Sequence, residues 1–238
     1  MMTSTFLTAE WRKLAIANYA ADRKWLQALI PAGTELDTWN ETCYVSLVGF
    51  MFLNTRLMGV RIPFHSNFEE VNLRFYVRYN HMGLWKRGVV FIKEIVPRPA
   101  LTFVANNVYK ENYETMPMAH TWKIKSDSLE VEYRWKKKEW NNLNVSASPL
   151  PQMIREGSEE EFITEHYWGY TRVSDLITSE YQVEHPRWTA YAVNQYSIRV
   201  DFADVYGKDF GFLGMQEPIS VMLAEGSQIE VRRGIIIK

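Results

Sequence analysis

The side chains most able to do chemistry lie on two consecutive strand-like segments, residues 67–79 and 88–96. In the first segment Glu70, Asn72 and Arg74 recur at every second position, which places their side chains on one face of a strand. An arginine on such a face can hold a carboxylate by two parallel hydrogen bonds. In a curled sheet these three residues line a cavity and bind a ligand; in an open sheet they form the solvent-facing side.

The second segment is apolar on both faces apart from the adjacent pair Lys93 and Glu94. Strand alternation predicts that Val90, Ile92 and Val96 share the face of Glu94, so that its carboxyl enters an apolar environment. Burial raises the pKa of a carboxyl and permits it to act as an acid or base near neutral pH. We therefore expect Glu94 to be a catalytic residue, with a structural ion pair to the arginine of the first segment as the alternative. Lys93 is expected to point the opposite way, toward solvent.

Other motifs argue against several classes of enzyme. The chain has no GxSxG, Walker or dinucleotide-binding glycine pattern, so it predicts neither serine-hydrolase chemistry nor a nucleotide cofactor. No pair among the five histidines has the spacing of the HExxH zinc motif. We therefore expect no cofactor and no metal, with a metal site assembled from distant positions as the alternative. Residues 165–170 form the densest polar and aromatic cluster, for which packed rings with satisfied polar tips are the structural interpretation.

The composition favours a β-rich globular domain. With 238 residues the chain has the length of one such domain, and we expect residues 1–238 to form it. Aromatic residues make up 14% of the chain, and this enrichment favours strands over helices. The net charge of −1 gives no reason to expect nucleic acid or an acidic membrane as a partner.

The lone cysteine and the first residues both point to the cytoplasm. Cys43 is the only cysteine, which excludes an intrachain disulfide and a cysteine zinc site. It lies in an apolar strand-like run, so a buried inert thiol is expected rather than a nucleophile. The segment MMTSTFLTAEWRK carries acid and base where a signal peptide needs an apolar stretch. No apolar run has the length of a membrane span.

The elements that must position these residues are predicted mainly as strands. Asp22 can cap a short helix over residues 23–30, and Pro99 can start a second helix over residues 100–113. Residues 141–158 are rich in Asn, Ser and Pro and are expected to form a loop. Further strands are predicted over residues 44–57, on both sides of the turn at 126–127, and over 162–172, 179–184, 190–203 and 219–222. The chain is therefore predicted to be mostly β, a largely antiparallel sheet that curls or closes with two or three peripheral helices.

Several segments resemble a known family. They are FLTAEWRKL, IPAGTELDTWN, YVSLVGF, PFHSNFEEVNLRFYVR, RGVVFIKEIVPRPA, ENYETMPM, EHYWGY and VEHPRW. Together they are similar to the YqjF-like family, an uncharacterised domain family of the acetoacetate-decarboxylase-like superfamily. The resemblance runs from Phe6 to about Phe202. It implies a large bent antiparallel sheet that forms a cone or incomplete barrel around a central cavity.

The resemblance also bears on the reaction. In the decarboxylases of this superfamily a buried lysine forms a Schiff base with a β-keto acid, and a second lysine beside it lowers the pKa of the first. The equivalent turn here runs from Glu94 to Pro99, so that Arg98 and Pro99 stand where the two lysines would be. Neither side chain supplies a free amine. Schiff-base decarboxylation is therefore not expected.

The residues and the resemblance together give three hypotheses. In the first, a binder or a lyase-like or other enzyme takes a small carboxylate- or carbonyl-bearing molecule into the cavity, where Arg74 holds the anion and Glu94 is acid or base. In the second, a non-catalytic protein senses a metabolite or binds another protein, and aromatic side chains fill the pocket. In the third, another lysine supports Schiff-base chemistry. Exposed edge strands would also permit a homo-oligomer. The ligand-binding residues of the first hypothesis are Glu70, Asn72, Arg74, Tyr113 and His166.

Overall fold

The computed structural model describes residues 4–237, apart from the side chains at positions 108 and 109. Its main feature is one large sheet, which contains fifteen strands within the described residues. The strands are β1 (Thr5–Ala21), β2 (Thr34–Leu36), β3 (Cys43–Leu57), β4 (Val60–Arg61), β5 (Phe68–His81), β6 (Leu84–Val96), β7 (Tyr113–Thr115), β8 (Met118–Ile124), β9 (Leu129–Lys136), β10 (Trp140–Met153), β11 (Trp168–Arg172), β12 (Thr178–Glu184), β13 (Thr189–Arg199), β14 (Ser220–Arg232) and β15 (Ile235–Ile236). The prediction of a mostly β protein is confirmed.

The helices are short. They are α1 (Arg23–Gln27), α2 (Pro99–Val104), α3 (Glu159–Thr164) and α4 (Phe202–Tyr206), with a π-helical turn at Ala105–Tyr109 and a 3₁₀ segment at Lys208–Met215. Asp22 caps α1 as predicted, because its carboxylate accepts a hydrogen bond of 2.8 Å from the backbone N–H of Lys24. In the part of the chain that the structure describes, no helix is long and apolar enough to cross a membrane.

Seven strands form a closed circuit, which we call the ring. In order they are β12, β11, β6, β5, β3, β1 and β14. β12 then pairs with β14 through Val183–Val231 and Glu184–Glu230, and these pairs complete the circuit. β11 and β6 are also joined by a short pairing, so the ring is irregular rather than a regular barrel. This agrees with the predicted cone or incomplete barrel.

The sheet branches at β14. The first half of this strand pairs with β13 at Leu223 and Ala224, whereas its second half pairs with β12. From β13 the sheet continues through β10, β9 and β8, and this extension folds back over the outside of the ring. Tyr133 of β9 packs against Gly49 of β3, and its hydroxyl donates a hydrogen bond of 2.8 Å to the carbonyl of Lys13.

Strand alternation divides the core into two clusters. One lies inside the ring and includes Ile16, Val48 and Val96, which come from different ring strands. The other lies between the ring and the extension and includes Leu47 and Trp135. Leu47 and Val48 are neighbours in the chain, but Leu47 packs in the outer cluster and Val48 in the inner one. This is expected for a strand that is buried on both faces.

Several sequence predictions about the elements are wrong. The sheet is mixed, because β6 pairs in parallel with both β7 and β11. The predicted loop at residues 141–158 mostly belongs to β10, where Leu143, Val145 and Ala147 are buried between β9 and β13. Pairing on both sides overrides the loop-like composition. The predicted strand at residues 162–172 begins instead in α3, whose first turn is capped by Ser158.

Gly226 lies in β14 between its pairings with β13 and β12. It has φ +78, and a Cβ added there would lie 2.0 Å from the carbonyl oxygen of Trp11. Gly83 has φ +87 with open space around it, so it is a matched control. Gly83→Ala should lower the free energy of unfolding by roughly 1–2 kcal/mol, the cost of a left-handed conformation. Gly226→Ala should cost an additional ~1–3 kcal/mol because the two backbones must separate. Urea denaturation of both variants measures this difference, and equal losses would contradict the proposed branch-point contact.

Candidate functional site

The polar side chains of β5 face into the ring. Glu70, Asn72 and Arg74 alternate with core residues of the outer cluster, and they are only 3%, 1% and 8% exposed. The alternative in which these residues form a solvent-facing side of an open sheet is therefore wrong. Closure of the ring places them among Val48, Phe50 and other side chains of the inner cluster.

A β-bulge at Ile92 sets the direction of Glu94. Before the bulge Phe91 lies opposite Arg74, and after it Glu94 lies opposite Asn72. Residues that lie opposite each other in an antiparallel pair share a face. Phe91 and Glu94 therefore both point into the ring although they are three positions apart.

The bulge also corrects the predicted neighbours of Glu94. Val96 shares its face and belongs to the inner cluster, as predicted. Val90 lies opposite Phe75 and belongs to the outer cluster, and Ile92 packs against the same cluster, so the prediction that these two residues share the face of Glu94 is wrong. Strand alternation alone predicts one face for residues 90 to 96, but the extra residue at the bulge moves the side chains before it to the opposite face of the sheet. Glu94 itself is 2% exposed.

Three buried carboxyls come together inside the ring. Glu70 accepts a hydrogen bond of 2.9 Å from the amide of Asn72 and one of 3.3 Å from the hydroxyl of Tyr113. Glu94 and Glu111 lie close enough to these groups to interact electrostatically with Glu70. Oε2 of Glu94 and Oε1 of Glu111 are buried without a hydrogen-bond partner. The structure thus brings the predicted residues Glu70, Asn72, Glu94 and Tyr113 together.

The segment that returns from the π-helical turn holds Tyr113 in place. Tyr113 pairs in parallel with Glu94, and Asn106 exchanges two hydrogen bonds with the backbone of Tyr113, at 2.7 and 2.9 Å. Asn112 donates from its amide to the carbonyl of Ile92 at 2.7 Å. These bonds attach residues 112–113 to β6 at the bulge. The bulge at Ile92 therefore positions both the carboxyl of Glu94 and the phenol of Tyr113.

Sequence reasoning missed Glu111 and Tyr181. Tyr181 of β12 lies opposite Gly169 of β11, and a Cβ at Gly169 would lie 2.2 Å from Cζ of Tyr181. Only a glycine lets the ring of Tyr181 cross its neighbour at this point, and there its hydroxyl bonds Glu111. Gly169 in an otherwise aromatic segment is a signal in the sequence for such a close approach. Glu111 has no comparable signal, since it lies inside the helix predicted over residues 100–113. That prediction is wrong at its end, because the helical turns stop at Tyr109 and Tyr113 begins β7.

Burial sets the protonation of Glu70. It raises the pKa of this carboxyl to about 7, although the hydrogen bonds from Asn72 and Tyr113 and the charge of Arg74 act in the opposite direction. Glu70 therefore changes charge near neutral pH.

Glu94 is held more firmly in its protonated form. Burial raises its pKa well above the usual range, and the nearby charges of Glu111 and Glu70 raise it further. Burial also raises the pKa of Glu111 to about 7. Closely spaced carboxyls cannot all ionise, so the cluster retains protons at neutral pH.

Arg74 is a buried cation without a counter-ion. Its Nε is buried and unpartnered, and no hydrogen bond or ion pair joins this side chain to any residue that the structure describes. Its Cζ lies over the ring of Tyr76, 5.7 Å from the ring centroid. The alternative of a structural ion pair between Glu94 and Arg74 is therefore wrong. A guanidinium cannot lose its proton to relieve the cost of burial, so an anion that binds it would offset that cost.

His166 lies apart from the carboxyls but near Arg74. Its Nε2 lies 3.1 Å from the carboxylate of Asp37, which also accepts a hydrogen bond of 2.6 Å from Arg87. Burial lowers the pKa of His166 to about 4, so the ring is neutral, and its Nδ1 is buried without a partner. The ring of Tyr76, which Arg74 also approaches, lies 4.6 Å from that of His166 between centroids.

A cavity of about 520 Å³ opens at the rim of the ring. Its lining residues are Thr8, Ala9, Glu10, Asn54, Arg56, Glu184, His185, Pro186, Gln228, Ile229 and Glu230. Neither Arg74 nor Glu94 is among them. His185 is the link to the interior, because its ring stacks on that of Trp188 at 4.3 Å. Burial lowers the pKa of His185, and the charge of Arg74 lowers it as well.

The lysines are directed away from this cluster. Lys93 was expected to reach solvent, but its ammonium instead donates to Glu114 at 2.8 Å and to the carbonyl of Val205 at 2.6 Å. Arg98 and Pro99 are exposed at the start of α2. Among the described residues no lysine side chain is fully buried, so the hypothesis of a Schiff base through another lysine gains no support.

Comparison with known proteins gives a family and a fold. The family model of DUF2071, an uncharacterized conserved protein, matches residues 8–228. The uncharacterized protein YqjF of Bacillus subtilis (strain 168) is 27% identical over 183 residues, which cover 75% of this chain and 72% of YqjF.

The similar solved structures share the fold at low identity. Acetoacetate decarboxylase from Legionella pneumophila superposes with a TM-score of 0.66 at 11% identity, covering 98% of this chain and 87% of that one. The enduracididine biosynthesis enzyme MppR in complex with pyruvate superposes with a TM-score of 0.62 at 10% identity, covering 100% and 92%. Identity this low carries the fold alone.

The buried carboxyls predict how stability depends on pH. Between the usual value of 4.5 and a folded-state pKa of about 7, folded Glu70 keeps a proton that the unfolded chain releases. The free energy of unfolding therefore falls as pH rises through this range, by up to ~1.4 kcal/mol per pH unit for one group. Glu70→Gln removes this loss. Relative to the unsubstituted protein, the variant should gain roughly 1–3 kcal/mol between pH 5 and pH 8, measured by urea denaturation.

Glu69→Gln is the matched control, because Glu69 is adjacent but pairs outside the ring with Nδ1 of His120 at 2.7 Å. Although burial opposes it, the hydrogen bond with His120 keeps the pKa of Glu69 below its usual range. Its carboxyl is thus ionised in both states above pH 5, so Glu69→Gln acts on the pH dependence only through its imidazole partner His120. The double variant Glu69→Gln with His120→Gln should therefore differ from His120→Gln by a nearly constant amount. The contribution of His166 to the free energy of unfolding rises with pH, opposite to that of Glu70. Because every variant retains His166, this contribution cancels when a variant is compared with the unsubstituted protein. A constant difference for Glu70→Gln would contradict the assignment.

Proposed function

Because this chain belongs to the DUF2071 family and has the fold of the acetoacetate decarboxylases, we propose that it binds or transforms a small carboxylate- or carbonyl-bearing molecule inside the ring. The observation that carries this proposal is Arg74, which is only 8% exposed, has a buried unpartnered Nε and forms no ion pair among the described residues. A permanent cation without a counter-ion costs folding free energy, and an anionic ligand offsets that cost when it binds.

The chemistry of the surrounding groups fits the same class of ligand. A guanidinium recognises a carboxylate through two parallel hydrogen bonds. A protonated carboxyl such as Glu94 can donate a hydrogen bond to a carbonyl oxygen, and Asn72 and Tyr113 add further polar groups. His166, close to Tyr76, extends the polar surface on the side of Arg74. In this proposal Glu94 is the acid or base and the other residues bind the ligand.

The fold neighbours support the ligand class. MppR has been solved in complex with pyruvate, which carries a carboxylate next to a carbonyl group. The present chain differs from a Schiff-base enzyme because the turn after β6 offers Arg98 and Pro99 in place of lysines. We therefore propose a reaction or binding event that proceeds without a covalent link to a lysine. A cytoplasmic location and a homo-oligomer remain predictions.

A second candidate is a non-catalytic protein that senses a metabolite. The aromatic side chains of the inner cluster favour it, because they occupy much of the space that a large substrate would need. They include Tyr44, Phe50, Phe52, Tyr76, Phe162 and Trp188. Turnover of a bound ligand separates the two candidates, since both predict binding at Arg74 but only the first predicts chemistry at Glu94.

Substitution of Arg74 tests the proposed anion site. Pyruvate, propanoate and other small carboxylates should raise the melting temperature of the protein, since a ligand at 100 times its Kd adds about 2.7 kcal/mol of stability. Arg74→Met should abolish this rise. The free energy of unfolding of Arg74→Met without ligand should equal or exceed that of the unsubstituted protein, because the variant no longer buries an unpaired charge.

Arg78→Met is the control, because Arg78 lies on the same strand but pairs at the surface with Glu35, 2.7 Å from its Nε. It should respond to carboxylates like the unsubstituted protein. If Arg74→Met binds the same ligands with unchanged affinity, Arg74 is not the anion site. If no small carboxylate changes the melting temperature of the unsubstituted protein, the proposed ligand class is wrong.

A further inference from the structure

We propose that two glutamates inside the ring catalyse the enolisation of a keto acid, with Glu70 as the base and Glu94 as the hydrogen-bond donor to the carbonyl oxygen. This inference rests on the proposed function, because Arg74 must first hold the carboxylate of the substrate. It adds a reaction, proton transfer at the carbon next to a carbonyl group, and it assigns different roles to two residues of the same type.

Glu70 has the surroundings of a base. Both of its oxygens have hydrogen-bond donors, from Asn72 at 2.9 Å and from Tyr113 at 3.3 Å, and the positive charge of Arg74 is nearby. Donors and cations favour the ionised form of a carboxyl. Glu70 is therefore better able than Glu94 to release its proton. Its pKa of about 7 is suited to a base that works near neutral pH.

Glu94 has the surroundings of a neutral donor. Its Oε2 is buried and unpartnered, and only the hydroxyl of Tyr113, which also donates to Glu70, favours its ionised form. Glu70 and Glu111 both oppose its ionisation. A carboxyl that stays protonated at neutral pH can donate a hydrogen bond, and that bond strengthens as negative charge develops on the acceptor oxygen. Two carboxyls whose surroundings favour opposite protonation states are the expected arrangement for a base and an acid.

The order of the groups along β5 matches the order of atoms in a keto acid. Arg74, Asn72 and Glu70 share one face at successive intervals of about 7 Å between Cα atoms. Glu94 lies opposite Asn72, between the other two. The hydrogen bond from Asn72 draws the carboxyl of Glu70 toward this midpoint. A 2-oxo acid likewise presents its carboxylate, then its carbonyl group, then the carbon that loses a proton.

The step is balanced without any further reactant. The carboxylate of Glu70 takes a proton from the carbon next to the carbonyl, and the C–H electron pair forms the new C=C bond. The π pair of the carbonyl moves to oxygen, which takes the proton of Glu94, so the product is the enol. The reverse step restores the keto form, and exchange of the Glu70 proton with water replaces the hydrogen on carbon. The ion pair with Arg74 stabilises the carboxylate and thus opposes its loss as CO2.

Hydrogen exchange of the substrate in D2O tests the inference. Pyruvate and 2-oxobutanoate are incubated with the full chain, loss of the proton signal next to the carbonyl is followed by NMR, and CO2 release is measured in parallel. The unsubstituted protein should accelerate exchange without releasing CO2. Glu70→Gln should slow exchange by roughly 10²-fold or more, the usual contribution of a general base. The free energy of unfolding of this variant at pH 8 should equal or exceed that of the unsubstituted protein, which shows that the loss of exchange does not come from unfolding.

Two further variants keep the test decisive. Glu69→Gln should exchange like the unsubstituted protein, because its side chain faces out of the ring toward His120. Asn72→Leu removes a donor from Glu70 and should move the midpoint of the exchange rate against pH to higher pH. This readout distinguishes a base from a residue that only maintains the fold.

The outcomes separate this inference from the proposed function. Binding of pyruvate that depends on Arg74 but gives no exchange would overturn the enolisation and leave the proposed function standing. Exchange that survives Glu70→Gln in a folded protein, or release of CO2, would overturn the assigned roles. A failure of every carboxylate and keto acid to bind would overturn both proposals.

Discussion

Closure of the ring is the constraint on which the rest of the site depends. In an open sheet the polar side chains at alternate positions of β5 would face water. The pairing of β12 with β14 completes the circuit, and Glu70, Asn72 and Arg74 are consequently enclosed with the inner cluster. Each charge on that face must then find a partner, change its protonation state or bind a ligand. The two charged residues of this face, Glu70 and Arg74, meet this requirement in different ways.

The buried carboxyls tend to stay protonated, and a protonated carboxyl does not form an ion pair with Arg74. Burial and mutual repulsion favour the neutral forms of Glu94 and its neighbours. A protonated acid is a poor counter-ion for arginine, and Arg74, whose charge acts on Glu70, forms no ion pair among the described residues. The interior therefore presents a permanent cation next to hydrogen-bond donors. This is the electrostatic complement of an anion that also carries an acceptor oxygen.

Alternation and composition are enough to predict that Glu70, Asn72 and Arg74 share one face of β5 and that Glu94 is buried. They leave open whether that face lies inside a closed sheet or toward solvent, because closure depends on the distant pairing of β12 with β14. They do not predict the bulge at Ile92, since an inserted apolar residue among apolar residues leaves no pattern. Glu111 and Tyr181 were missed because tertiary pairing, through β7 and across Gly169, brings them to the site. The same cause hides β10, whose loop-like composition is overridden by partners on both sides. By contrast, Ser158 and the acidic turn after it are readable signals for α3 that a strand interpretation overlooked.

Among the described residues of the proposed site no lysine faces the ligand, and Glu94 supplies a neutral acid, which changes the reactions that could follow binding. A protonated Schiff base places a full positive charge next to the reacting carbon, whereas a neutral carboxyl offers only a hydrogen bond to the carbonyl oxygen. Loss of CO2 is then disfavoured twice, by the weaker electron sink and by the guanidinium that stabilises the carboxylate. Transfer of a proton next to the carbonyl leaves that ion pair intact. Under the proposed roles of Arg74 and Glu94, proton transfer would be favoured over decarboxylation, although the strands that enclose the site share the fold of acetoacetate decarboxylase.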